Sequence, residues 1–241
     1  MSENKNPLLS LALILGASLI ISAIIGGVSF YKVRSLDNTL AMTGSAKKAV
    51  RSDKVKWRAN FTRVALVDNL KTGYTQMKTD QAAVAKFFRD SGIADKNISI
   101  SAVLMDQNYK YNYSGPAEYT LRQNVDIESD DVDKITKLTK NIQSLIDQGV
   151  IFSTLNVEYY YSKLPELRVE LLGEAVKDAQ ARGSKIAESS GKRLGALKSA
   201  SGGVVQVLAP NSTDVSDYGA YDTATIEKEV MVAVRATFVI K

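Results

Sequence analysis

The chain has 241 residues, 45% of them hydrophobic and 24% charged, enough to build a core without a metal or disulfide staple. It contains no cysteine and no histidine, which excludes a disulfide framework, a cysteine nucleophile, a Ser-His-Asp triad and any thiolate or imidazole metal site. The formal charge of +5 is far short of a nucleic-acid footprint, so no nucleic-acid partner is expected.

Asn6 to Tyr31 carries no charge and lies between Lys5 and Lys32. About 20 helical residues cross a hydrocarbon core of about 30 Å, so residues 7–31 are expected to cross a lipid bilayer within an N-terminal anchor of residues 1–34. The apolar run exceeds the roughly 7 to 15 residues of a cleaved signal, and the small-residue sites at Ser22-Ala23 and Gly26-Gly27 fall inside it. The reading is therefore an uncleaved signal anchor. Gly16, Ala17, Ser18, Ala23, Gly26 and Gly27 recur about a turn apart, a spacing that allows close helix approach in lipid and is also common in membrane helices generally. Lys32, Arg34, Lys47, Lys48 and Arg51 follow the span and, counted naively, would hold the rest of the chain in the cytoplasm. Long domains translocate largely regardless of charge, so charge alone leaves orientation open.

Residues 35–241 read as one α+β domain. After a polar connector, Val55, Trp57, Ala59 and Phe61 alternate with Lys56, Arg58 and Asn60, the period of a half-buried strand. A helix follows, with Leu70, Tyr74, Met77, Val84, Phe87 and Phe88 at helical spacing, Asp68 as its expected N-cap and Gly92 as its stop. Residues 98–105 and 118–129 read as two strands around a tyrosine loop. Val132, Ile135, Leu138, Ile142, Leu145 and Ile146 then mark a linking helix over 131–147. Next come a strand over 150–162, a long helix opened by Pro165, a valine strand, a polar loop over 211–226 and a closing alternating strand ending at Ile240. The order is two strand-helix-strand-strand units, 55–129 and 150–240, joined by the linking helix and preceded by one transmembrane helix.

On the long helix Leu167, Leu171, Ala175, Ala179, Arg182 and Ile186 recur at three- and four-residue steps, so large side chains give way to small ones. Gly183 costs about 1 kcal/mol of helix propensity relative to alanine, and close packing against a neighbouring element is the expected compensation. Gly191 ends the helix, with Lys192 and Arg193 near the negative end of its dipole.

The stretch from Glu174 to Leu197, followed by the valine strand, the polar loop and the closing strand, resembles the C-terminal signature of the SIMPL-domain family, whose bacterial members include periplasmic and outer-membrane immunogenic proteins. Residues 44–61 look like that family's opening pair of strands. The resemblance covers about Leu40 to Lys241. It implies an α+β domain exported to the bacterial envelope, homo-oligomers that are ring-like or channel-like in some members, and a loose association with oxidative stress tolerance. Together with the anchor it implies a single-pass inner-membrane protein with its C-terminal domain in the periplasm. The family has no established catalytic residues, so no catalytic, cofactor-binding or metal-binding residue is assigned and no enzyme activity is expected.

The candidate interface is a set of tyrosines: Tyr109, Tyr111 and Tyr113 on one face of an extended loop, Tyr159 and Tyr161 at a strand end, and Tyr218 and Tyr221 in the polar loop. Tyrosine covers apolar area and keeps a polar tip, which suits a contact with a second copy, an envelope polymer or a partner protein. The plainer account is local packing at strand ends. Lys47, Lys48, Arg51, Lys54, Lys56 and Arg58 form a basic run with Asp53 as its only acid, read as a solvated strand face, with contact to anionic headgroups as the alternative. Asp130, Asp131 and Asp133 suit a helix start and need no metal.

Overall fold

The computed structural model describes residues 7–35, 38–109, 111 and 115–241. Helix α1 spans Pro7–Ser35. Within it Ser10–Arg34 is long and apolar enough to cross a membrane, with a mean hydropathy of 2.5 and none of its most apolar stretch buried.

The rest of the chain is mixed α and β. In order it forms β1 (Thr39–Arg51), β2 (Lys54–Leu66), α2 (Leu70–Asp90), β3 (Ile98–Ile100), β4 (Leu104–Asn108), β5 (Glu118–Ser129), α3 (Val132–Leu138) and α4 (Gln143–Asp147). There follow β6 (Ile151–Tyr160), α5 (Leu164–Ser189), β7 (Leu194–Leu208), β8 (Ala220–Tyr221) and β9 (Glu227–Ile240). Two compact units result: Lys47–Val169 with Val204–Met231, and Met1–Ala46 with Glu170–Gly203 and Val232–Lys241.

The larger unit is built on a five-stranded antiparallel sheet in which β5 pairs with β2, β2 with β6, and β3 and β4 follow each other along the far edge of β5. Register places Trp57 opposite Ile127 and Val157, and Phe61 opposite Gln123 and Phe152. The period-2 pattern of β2 buries Val55, Trp57, Ala59, Phe61 and Ala65. Helix α2 answers with Met77, Val84 and Phe88, and Trp57 meets Phe88 and Phe152 edge-on, with centroids at 5.4 Å and 5.9 Å. On this inner face Arg63 of β2 pairs with Asp80 of α2 in a two-bond fork at 2.6 Å and 2.8 Å.

Two single elements expected from periodicity are each divided. The strand over 98–105 breaks because the Ser101 hydroxyl accepts from the Asn124 backbone N–H while Gln123 Nε2 donates to the Ser101 carbonyl, so side chains replace ladder bonds. The linking helix splits into α3 and α4 where Thr139 Oγ1 and Asn141 Nδ2 donate to the carbonyls of Thr136 and Lys137. Asp131 does cap α3, accepting from the Lys134 N–H at 3.0 Å. Asp68 does not cap α2: a 3-10 turn over Val67–Asn69 leads in, and its last residue makes no side-chain cap.

The strand-helix-strand-strand order recurs as β2-α2-β3/β4-β5 and β6-α5-β7-β9. The sheets, however, exchange a strand relative to that order. β6 joins the five-stranded sheet beside β2, and β1, whose residues read locally as a connector, heads the four-stranded sheet β1-β9-β7-β8.

In the smaller unit α5 lies on β1. Its buried stripe is Leu171, Ala175, Ala179, Gly183 and Ala187, in four-residue steps that continue from Leu167. Arg182 and Ile186, expected on that face, are exposed. The correction has a steric cause: a Cβ on Gly44 of β1 would stand 2.1 Å from the Ala175 carbonyl oxygen and 2.4 Å from the Ala179 nitrogen. Only the smallest side chains fit at that spacing; at Gly183 a Cβ would meet the side chains of Leu194 and Met42 at 3.3 Å. Ala179, Ala236 and Phe238 form the small core there.

Candidate functional site

The end of β6 and the chain after β8 meet in the larger unit. Tyr161 donates its backbone N–H to the Tyr221 hydroxyl at 3.0 Å, and the Tyr160 and Tyr221 rings stand 5.8 Å apart. The segment 221–226 is tied down further where the Tyr159 N–H donates to the Thr223 carbonyl and the Ser52 N–H to the Ile226 carbonyl. Beneath it lies Lys228, with no side-chain exposure. Its ammonium donates to the carbonyls of Asp222 and Thr225, lies 3.3 Å from Asp222 Oδ2 and stands 5.8 Å from the centre of the Tyr221 ring.

Burial lowers the Lys228 pKa, and the attraction of Asp222 opposes that shift. Burial pushes the Asp222 carboxyl up, but bonds from Thr225 and Ala224 and the charge of Lys228 outweigh it and hold the value below the ordinary carboxylate range. With three donors and three acceptors, the ammonium is saturated. It works as a strut that fixes the loop, with no donor left over for a ligand. Sequence reasoning passed over Lys228, although the alternation of β9 flags it: it shares the inward parity of Val230, Val232 and Val234.

The tyrosines expected at an interface divide into three groups. Tyr159 is buried in the core, its hydroxyl 3.0 Å from Thr136 Oγ1, and is closed to any outside contact in this fold. Tyr161 and Tyr221 are brought together as described, Tyr221 remaining 39% exposed. Tyr109, Tyr111 and Tyr218 are 87%, 96% and 97% exposed. Tyr113 lies outside the described residues.

The basic run is neutralised by acids distant in sequence. Lys47 pairs with Glu229, Arg51 with Asp133 and Glu227, Lys54 with Asp130 at 2.6 Å, Lys56 with Glu128 at 2.9 Å, and Arg58 with Glu158 and Asp126. Lys54, Lys56 and Arg58 stand on the outer face of the five-stranded sheet, where alternation turns the residues between the buried ones outward. A cleft of about 420 Å³ opens there, lined by Lys54, Lys56, Lys96, Glu128, Asp130 and Tyr160. Two of its three lysines are already held by carboxylates, so the cleft offers little net charge to an anion. Asp130, Asp131 and Asp133 each serve a different partner, and among the described residues no group of three metal-ligating side chains converges.

Comparison with protein families matches residues 40–238 to the one described as SIMPL, protein of unknown function (DUF541). Comparison with the curated proteins gives no match.

Proposed function

This chain belongs to the SIMPL family, and from that premise we propose that it is a membrane-anchored, exported, non-enzymatic scaffold that assembles with further copies of itself in the bacterial envelope. The observation that carries the reading is α1, whose most apolar stretch has a mean hydropathy of 2.5 and buries nothing. A helix so apolar and so bare needs a bilayer around it. Its place is the inner membrane, with the N-terminus in the cytoplasm and the α+β domain on the far side. Support for a non-enzymatic role comes from the absence of histidine and cysteine, from the pairing of the clefted lysines and from the saturation of Lys228.

Two measurements test this. Tyr218→Cys would give the cysteine-free chain a single exposed thiol. A membrane-impermeant maleimide should label it in spheroplasts without lysis, and labelling only after lysis would put the domain in the cytoplasm. Light scattering of the detergent-purified chain, beside a version lacking residues 1–34, should show multimers in both. Monomers in both would remove the assembly reading.

Tyr109, Tyr111 and Tyr218, almost fully exposed, favour a second reading: a binding module for an envelope polymer or partner protein. Replacing all three by serine should then reduce retention on isolated envelopes while leaving the assembled mass unchanged. Unchanged retention would sink it.

A further inference from the structure

The sheet of the smaller unit gathers one end of three strands at the point where the chain leaves the apolar helix. α1 ends at Ser35 and β1 begins at Thr39. The Asn38 carbonyl, at the entry to β1, accepts the Ile240 N–H at 3.0 Å, and Arg193 and Lys241 exchange both backbone bonds, at 2.8 Å and 2.9 Å. The start of β1, the end of β9 and the start of β7 therefore lie side by side. The chain from Ser35 to Asn38 reaches at most about 11 Å, and a strand spacing of about 4.8 Å puts Arg193 and Lys241 within about 10 Å of Asn38. Whatever angle α1 takes, covalent length keeps this sheet end within about 20 Å of its last turn.

Cations collect here from three stretches of sequence that no local pattern joins. Lys32 and Arg34 stand in the last turn of α1, and Lys192, Arg193 and Lys241 stand exposed on the sheet end. Lys47, Arg51, Lys54, Lys56 and Arg58 each hold a carboxylate. Among the described residues no carboxylate pairs with Arg34, Lys192, Arg193 or Lys241. The acids close by in sequence are few: Glu188 faces Lys185, and Asp37 is the one acid between Arg34 and Lys47. The carbonyl end of α5 favours cations after it, but a helix dipole amounts to about half a charge and leaves most of this excess unbalanced.

We propose that this sheet end docks on the bilayer surface, with Lys192, Arg193 and Lys241 on the phosphates of anionic phospholipids and Lys32 and Arg34 completing the cluster from the helix side. The inference rests on the anchored reading above and adds a second contact between domain and membrane. The Arg193 guanidinium presents a fork that matches two phosphate oxygens, and the lysines act as point charges. Each cation brought to an anionic surface favours contact about fivefold. Tethering by α1 makes the step intramolecular, so three cations are enough to hold the domain down. Docking fixes the smaller unit on the membrane instead of leaving it to swing on its connector.

The test uses the full chain in lipid nanodiscs, one set of phosphatidylcholine alone and one doped with phosphatidylglycerol. The chain has no cysteine, so Ser189→Cys, exposed at the end of α5, carries a single fluorophore, and a lipid spin-labelled on its headgroup quenches it on contact. Quenching should be roughly fivefold or more stronger in the phosphatidylglycerol discs, and should fall as salt shortens the screening length from about 10 Å at 0.1 M to about 3 Å at 1 M. Changing Lys192, Arg193 and Lys241 together to glutamate should remove the difference between the discs. Lys192→Arg, Arg193→Lys and Lys241→Arg together should keep it. The salt series on the otherwise unchanged chain keeps the test valid if the glutamate variant fails to fold. Equal, salt-independent quenching in both discs overturns the docked sheet end and leaves the anchor standing. A chain that alkaline carbonate strips from membranes overturns the anchor and the docking with it. Loss of the phosphatidylglycerol effect on adding inorganic phosphate at constant ionic strength overturns the choice of a lipid headgroup.

Discussion

The two units place a helix on a sheet by opposite means. In the larger unit α2 stands off the strands, and the gap is filled by Trp57, Phe61, Met77, Phe88 and Phe152, each almost fully buried. In the smaller unit α5 comes down until Gly44 touches the helix backbone at Ala175 and Ala179, and the cluster beside that contact is Ala179, Ala236 and Phe238. The first arrangement gains stability from apolar area removed from water. The second gains it from dense backbone contact and has little area to spare. A change in volume is met by side chains in the first and by backbone in the second.

The largest expected effect tests that asymmetry directly. Gly44→Val would drive carbon into the α5 backbone, and a loss of more than about 4 kcal/mol is expected, read by chemical denaturation. A loss below about 1 kcal/mol would show that α5 can move off β1 and that the close approach is incidental. Trp57→Ala in the aromatic core should cost about 3–5 kcal/mol while leaving a cooperative transition.

Asp80→Ala strands Arg63 on the inner face and should cost about 3–5 kcal/mol. Asp130→Ala on the outer face, where the Lys54 and Asp130 side chains are 52% and 81% exposed, should cost less than about 1 kcal/mol. Equal losses would mean that the two faces of the sheet do not differ as their burial says.

The smallest effect concerns acid. The carboxyls of Asp53 and Asp222 are pushed up by burial, but bonds from Ser162 to Asp53 and from Thr225 to Asp222 leave both below the ordinary value of about 4. A carboxyl that binds its proton less readily when folded adds stability that is present above pH 4 or so and is lost as pH falls through the folded value. Asp222→Asn should therefore be less stable at neutral pH and show a flatter acid-unfolding profile than the wild type. Profiles that differ only by a constant offset would remove Asp222 from the acid response.

Much of this was legible in the residues. The bare apolar helix, the alternation of β2 and β9, the aspartates at the start of α3, and the thinning of α5 side chains all follow from spacing along the chain, because helix and strand periods are local geometry. The candidate interface was less legible. Tyr159 and Tyr161 stand two apart in one run of tyrosines, yet one is core and the other touches Tyr221. The basic run reads locally as a solvated face, and the acids that pair with it come from β5, β6, β9 and the turn into α3.

By itself the sequence determined the membrane-length helix, the α+β order of elements and the exclusion of thiol and imidazole chemistry, since each depends on residue type or on neighbours a few positions away. Tertiary structure alone decided that β6 pairs with β2 while β1 enters the other sheet, and that α5 turns Gly183 and Ala187 inward rather than Arg182 and Ile186. Those outcomes depend on which distant segments meet, and strand pairing and close backbone approach are settled only when long loops have closed.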